Sequence, residues 1–81
     1  MITKLLGPEI DIGTTANTIA NSTLVRVVNG NAPGTLTVQF TNGAVYGTMT
    51  MPANCIEIVQ KKPTHMVIGT GMKATPIAYK G

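Results

Sequence analysis

The stretch that most constrains the fold is TLTVQFTNGAVYGTMTM, residues 35–51, because it holds both an alternating pattern and the turn that would register it. Asn42-Gly43 at its centre favours a two-residue type I′ hairpin turn, in which both central positions take φ > 0. With that turn, Thr41 faces Ala44, Phe40 faces Val45, Val38 faces Gly47 and Leu36 faces Met49. Directly opposed residues share a face of the sheet. One face then carries Leu36, Val38, Phe40, Val45, Met49 and Met51; the other carries Thr35, Thr37, Gln39, Tyr46, Thr48 and Thr50. A slip of one residue would scramble this separation, so the pattern and the turn support each other.

The remainder of the chain reads the same way. Short runs of Thr, Val and Ile are broken by Gly, Pro and Asn, which is how strands and turns are written. Strand segments are expected over Glu9–Ile12, Thr18–Asn29, Thr35–Thr41, Ala44–Met51, Cys55–Lys61, Thr64–Gly69 and Lys73–Tyr79. The best helix candidate, Thr14 to Ser22, lacks apolar residues at a period of 3.6 and is rich in poor helix formers. In LVRVV and CIEIV both faces carry apolar residues, which places those strands between layers or under an outer cover. Pro76 removes a ladder donor, so the last run is expected at an edge or bulged. The expected fold is all-β: a small antiparallel β-sandwich or barrel of about six to seven short strands, with an extended N-terminal segment. Residues 1–15 would form an arm or edge segment and residues 16–81 a single β domain.

Eighty-one residues are enough for one small domain, whose core rarely supplies more than about 3–5 kcal/mol. Cys55 is the only cysteine, so no disulfide staples the fold, and a lone thiol fits a reducing compartment. Only 11% of residues are charged, against roughly 25% in a typical soluble domain. So little charge on so small a body implies that much of its surface is covered by copies of itself or by partners. The net charge of +3 comes from scattered residues, Lys4, Arg26, Lys61, Lys62, Lys73 and Lys80, and the aromatics are Phe40, Tyr46 and Tyr79. Nucleic-acid binders concentrate basic and aromatic side chains on one face, so that reading is disfavoured. No apolar run approaches the roughly 18 residues needed to span a bilayer.

Chemistry-bearing residues are few. Gly69-Thr70-Gly71-Met72-Lys73-Ala74 follows an apolar run and matches a dinucleotide-loop pattern. Such a loop works by opening a helix toward a pyrophosphate, and here Pro76 blocks a helix almost at once. The segment reads as a turn, with no cofactor. Cys55 and His65, with Glu9, Asp11 and Glu57, are too few and too dispersed for a zinc site within one chain. Ser22 or Cys55 beside His65 would be needed for nucleophilic catalysis, and nothing in their spacing brings them together. The chain reads as a non-enzyme.

Taken in order, LVRVVN, TLTVQF, GTMTMPANCIEIVQKKPTHMV and KATPIAY resemble a pattern in small all-β virion proteins of tailed bacteriophages, especially phages of marine bacteria. Leu24–Asn29, Lys62-Pro63-Thr64 and Ala74–Tyr79 carry the resemblance, which spans about residues 23–80; His65 stands where the pattern has an acid. The resemblance implies a capsid decoration or cement protein located in the virion, assembled in the host cytoplasm and bound to the major capsid protein. It would form a homo-oligomer such as a trimer and stabilise the shell by adhesion. Thr35, Thr37, Gln39, Tyr46, Thr48 and Thr50 form the expected docking face, unless that face is simply solvated. A tail or head–tail adaptor, a module for carbohydrate or a host surface, and a small barrel for single-stranded nucleic acid are the competing readings.

Overall fold

The computed structural model describes residues 2–80; Met1 and Gly81, the outermost residues of the two expected ranges, lie outside the described residues. The described chain is all-β. Its strands are β1 (Ile2–Leu5), β2 (Ile10–Asp11), β3 (Leu24–Asn29), β4 (Gly34–Gln39), β5 (Val45–Met51), β6 (Ile56–Gln60), β7 (Met66–Ile68) and β8 (Met72–Lys80). One sheet has the order β1-β8-β3-β6, with β2 also on β8; the other has the order β5-β4-β7, and all pairings are antiparallel. The two sheets face each other without joining into a closed ring, so the architecture is the sandwich rather than the barrel.

Alternation explains the core. Val25 and Val27 of β3, with Met72 and Ala74 of β8, point at Leu36, Met51 and Val67 of the other sheet, and all are essentially inaccessible. The opposite face of β3, carrying Leu24, Arg26 and Val28, is only half buried, because no third layer covers it.

One flank of the sandwich is sealed. After β2, Ile12 donates its N–H to the Met72 carbonyl (3.1 Å) and accepts from Gly69 N–H (3.0 Å). Asn17 then exchanges two backbone bonds with Val67 on β7, at 3.1 and 2.9 Å. The connecting segment therefore bridges the sheets, and Ile12 and Ile19 are driven fully into the core.

Four expectations need correction. Thr18–Asn29 is not one strand: β3 begins at Leu24, and Ile19, Ala20 and Asn21 form a left-handed turn with φ of 54°, 56° and 55°. Left-handed backbone costs roughly 1–2 kcal/mol per L-residue. Burial of the Ile19 side chain and side-chain caps from Asn17 (2.7 Å) and Thr18 (3.3 Å) offset it. Ala20 is exposed, so Ala20→Gly should relieve the strain and stabilise the chain by about 1 kcal/mol, read as a higher urea midpoint.

The second correction concerns Pro76. β8 is not an edge strand: it is paired on both sides and faces β3 through Val25↔Pro76. The missing donor is accommodated by the neighbour. The N-terminal edge strand is interrupted between β1 and β2, where Leu6 N–H donates to the Pro76 carbonyl (2.9 Å) and Gly7 lies against the proline ring.

The third is the strand count, eight among the described residues against the expected six to seven; the added strand is β1, which forms the edge allowed for residues 1–15 and keeps its side chains exposed. The fourth is the turn of the central hairpin. Phe40 N–H donates to the Ala44 carbonyl (2.8 Å) and Gly43 N–H to the Phe40 carbonyl (2.9 Å), and of Asn42-Gly43 only Gly43 has positive φ, 87°. The loop thus has three residues, the alternative closure in which a glycine takes the left-handed position.

The Gly-rich segment is a turn that carries the chain from β7 to β8. Met72 N–H bonds the Gly69 carbonyl (3.1 Å), and Gly71 has φ of 75° at the third position, where a type II turn requires it.

Candidate functional site

The lengthened hairpin loop rearranges the expected docking face. Thr35↔Thr50, Leu36↔Met49, Thr37↔Thr48 and Val38↔Gly47 pair as the alternation requires, but Gln39 faces Val45 and the register shifts there. The extra loop residue and a bulge at Tyr46 cancel each other, so the rest of the strand returns to register. Thr35, Thr37, Gln39, Thr48 and Thr50 do share the outer face, joined by Met66 and Ile68 of β7, which lie opposite Gln39 and Thr37. No charged residue stands on it. Tyr46 is not part of this face, and Val45 takes its place.

The bulge instead gathers three rings. Phe40, Tyr46 and His65 lie with centroids 5.2, 5.1 and 5.0 Å apart, the first two contacts edge-to-face. Such contacts favour ring pairs beyond the area they bury. No periodicity signal pointed to this cluster, because His65 comes from the turn before β7.

The flank opposite the sealed one is open. Among the described residues β5 pairs only with β4 and β6 only with β3, so both present unpaired edges. Between them runs a groove of about 210 Å³ lined mainly by Leu36, Val38, Tyr46, Met49 and Val59. β5 has no charge and no internal proline, the devices by which natural sheets guard an edge. β6 turns Ile56 and Ile58 outward and Glu57 and Val59 inward, so its rim is apolar too.

Beyond Tyr46 the same flank becomes polar, and Lys61 is central there. It is only 6% exposed. Its Nζ donates to the Ser22 carbonyl at 2.8 Å, with longer contacts to the carbonyls of Lys62 and Pro63 at 3.4 and 3.5 Å. Burial holds its pKa below the ordinary lysine value of 10.5. The unfolded chain therefore binds that proton more tightly, and stability rises with pH between the lowered folded value and 10.5. Denaturant titrations at pH 8 to 10.5 should show this rise in the natural chain and its loss in Lys61→Met, which leaves no charge to desolvate.

Cys55 Sγ lies 4.0 Å from Glu57 Oε1. Ser22 Oγ is buried without a partner, because Lys61 reaches the serine carbonyl and not its hydroxyl. Among the described residues, no group of three His, Cys, Asp or Glu side chains could hold a metal ion, and no helix is long and apolar enough to cross a membrane. Comparison with protein-family models, curated proteins and solved structures found no match. The site is defined by its own geometry.

That geometry singles out the open flank. Of the nine large apolar residues exposed among the described residues, Tyr46 and Met49 line the groove, Phe40 packs on Tyr46, and Val45, Ile56 and Ile58 lie on the two edge strands beside it. The other three, Ile2, Leu5 and Leu6, lie on the N-terminal edge.

Proposed function

We propose that the protein is a non-enzymatic structural component of a virion, a decoration or cement protein that binds the major capsid protein and stabilises the shell. The observation that supports this reading best is the open flank, where an uncharged unpaired edge and an apolar groove lie side by side. Edge strands of this kind recruit another strand through main-chain bonds, with side-chain pockets adding selectivity. A second copy fits the chemistry: β5 has no charge, so two β5 edges paired antiparallel about a two-fold axis bring no like charges together. Each contact is modest, but many copies engaging a lattice make the sum large.

The nucleic-acid alternative finds less support. It requires Arg26, Lys61, Lys62 and Tyr46 on one face, yet Arg26 lies opposite Ile58 and Thr75 on the outer face of the first sheet, while Tyr46, Lys61 and Lys62 line the open flank. A tail or head–tail adaptor would use the same flank, so tail-free capsids are the informative reagent. Sedimentation velocity of the chain alone and with such capsids tests the reading. Self-association and co-sedimentation are expected, and a monomer that ignores the particles would end it.

A further inference from the structure

Past Tyr46, the open flank ends in a recess of about 280 Å³ lined by Tyr46, Gln60, Lys61, Lys62 and His65. We propose that this recess is a binding site for an oxyanion, either a carboxylate carried by another polypeptide or free phosphate.

Charge comes first. Two lysines line the recess and no acid does, although the chain has Glu9, Asp11 and Glu57 to offer. Asp11 is occupied in its own turn, accepting from Gly13 N–H at 2.8 Å, and Glu57 lies beside Cys55. Among the described residues the Lys61 ammonium meets only backbone carbonyls, one at good distance and two at the limit. A buried cation so placed gains most from an anion that brings full charge and short bonds.

His65 points the same way. It is 6% exposed, and its Nδ1 is enclosed without a hydrogen-bond partner. The ring packs against Phe40 and Tyr46, with centroids 5.1 and 5.0 Å away. Nε2 is the ring's other nitrogen, and the ring lines the recess together with Gln60, Lys61 and Lys62. A histidine placed for packing alone would be better replaced by phenylalanine, which leaves no orphaned nitrogen.

The test is a titration followed by NMR through the His65 ring signals and the Lys61 and Lys62 amides, in phosphate-free buffer at constant ionic strength. The probes are sodium phosphate and N-acetylglutamate methylamide. A saturable shift with Kd of about 1 mM is expected for at least one of them, the strength of a few charge-assisted bonds on a small ligand. Tighter binding of the glutamate probe assigns the site to a polypeptide carboxylate, and tighter phosphate binding assigns it to free phosphate.

Lys61→Met should weaken binding roughly tenfold or more, and Lys62→Gln, at an exposed position, about threefold to fivefold. His65→Phe keeps the ring packing; it should bind more weakly while unfolding at higher denaturant. The proposal is overturned if neither probe saturates, or if all three variants titrate like the natural chain. Co-sedimentation with capsids is a separate readout, so a recess indifferent to anions would leave the adhesive reading standing.

Discussion

Replacing Asn29 by aspartate is expected to abolish cooperative folding near neutral pH. Asn29 is 5% exposed at the end of β3. Its amide Nδ2 donates to the carbonyls of Ala32, Met51 and Pro52 at 2.9, 3.0 and 3.1 Å, and its Oδ1 accepts from Gly30 N–H at 2.8 Å. This one side chain ties the first sheet to the end of β5 in the second. A carboxylate there would face three carbonyl oxygens with no donor. The lost bonds and the buried unpaired charge together cost at least about 4 kcal/mol, comparable to what the core of a domain this small supplies.

The sign of the pH dependence is diagnostic. The folded state would hold the introduced carboxyl protonated, raising its pKa above the unfolded value of about 3.9. Stability then falls as pH rises from that value and recovers in acid, where the protonated group can donate once. Urea melts followed by circular dichroism at pH 4 and pH 7 check it. A variant with the natural midpoint at pH 7 would mean that the amide is not what joins the sheets.

The second large effect is on association. Met49→Lys should dissociate copies of the chain while leaving each one folded. Met49 is 40% exposed, lines the groove and sits in the middle of the unguarded edge. A lysine there is what natural edge strands use to refuse a partner, and burying its charge in a contact should weaken association about 100-fold or more. Thr35→Lys and Thr37→Lys, on the outer face of central strand β4, are the controls. Sedimentation in which the threonine variants dissociate and Met49→Lys does not would move the docking surface to the threonine face.

How much of this could be read beforehand depended on whether a residue's role was local. The β4–β5 pairing was legible because alternation and turn lie within one continuous stretch, and Thr37↔Thr48 pairs as expected. The turn was misjudged because Asn-Gly fits two closures, and only the aromatic packing around Phe40, Tyr46 and His65 favours the longer one. Tyr46 was therefore placed on the wrong face while its threonine neighbours were not. Pro76 was misjudged because its partner, the gap around Gly7, lies at the other end of the chain. Asn29 and Lys61 carried no periodic signal. Their importance comes from carbonyls supplied by residues 22 and 39 positions away, such as Met51 and Ser22. The open flank could not be foreseen either, since it follows from which strands end up outermost.

The interruption opposite Pro76 divides the N-terminal border into two pieces of unequal anchorage. The outer piece, Ile2–Leu5, has every side chain exposed, so peeling it away forfeits main-chain bonds and uncovers little beyond Ile77, the partner of Leu5. The inner piece runs straight into Ile12, which is locked between the sheets. Unzipping that starts at residue 2 therefore halts at the proline like a tear reaching a seam, and a cargo fused ahead of Ile2 would tug on a detachable tab instead of the load-carrying body.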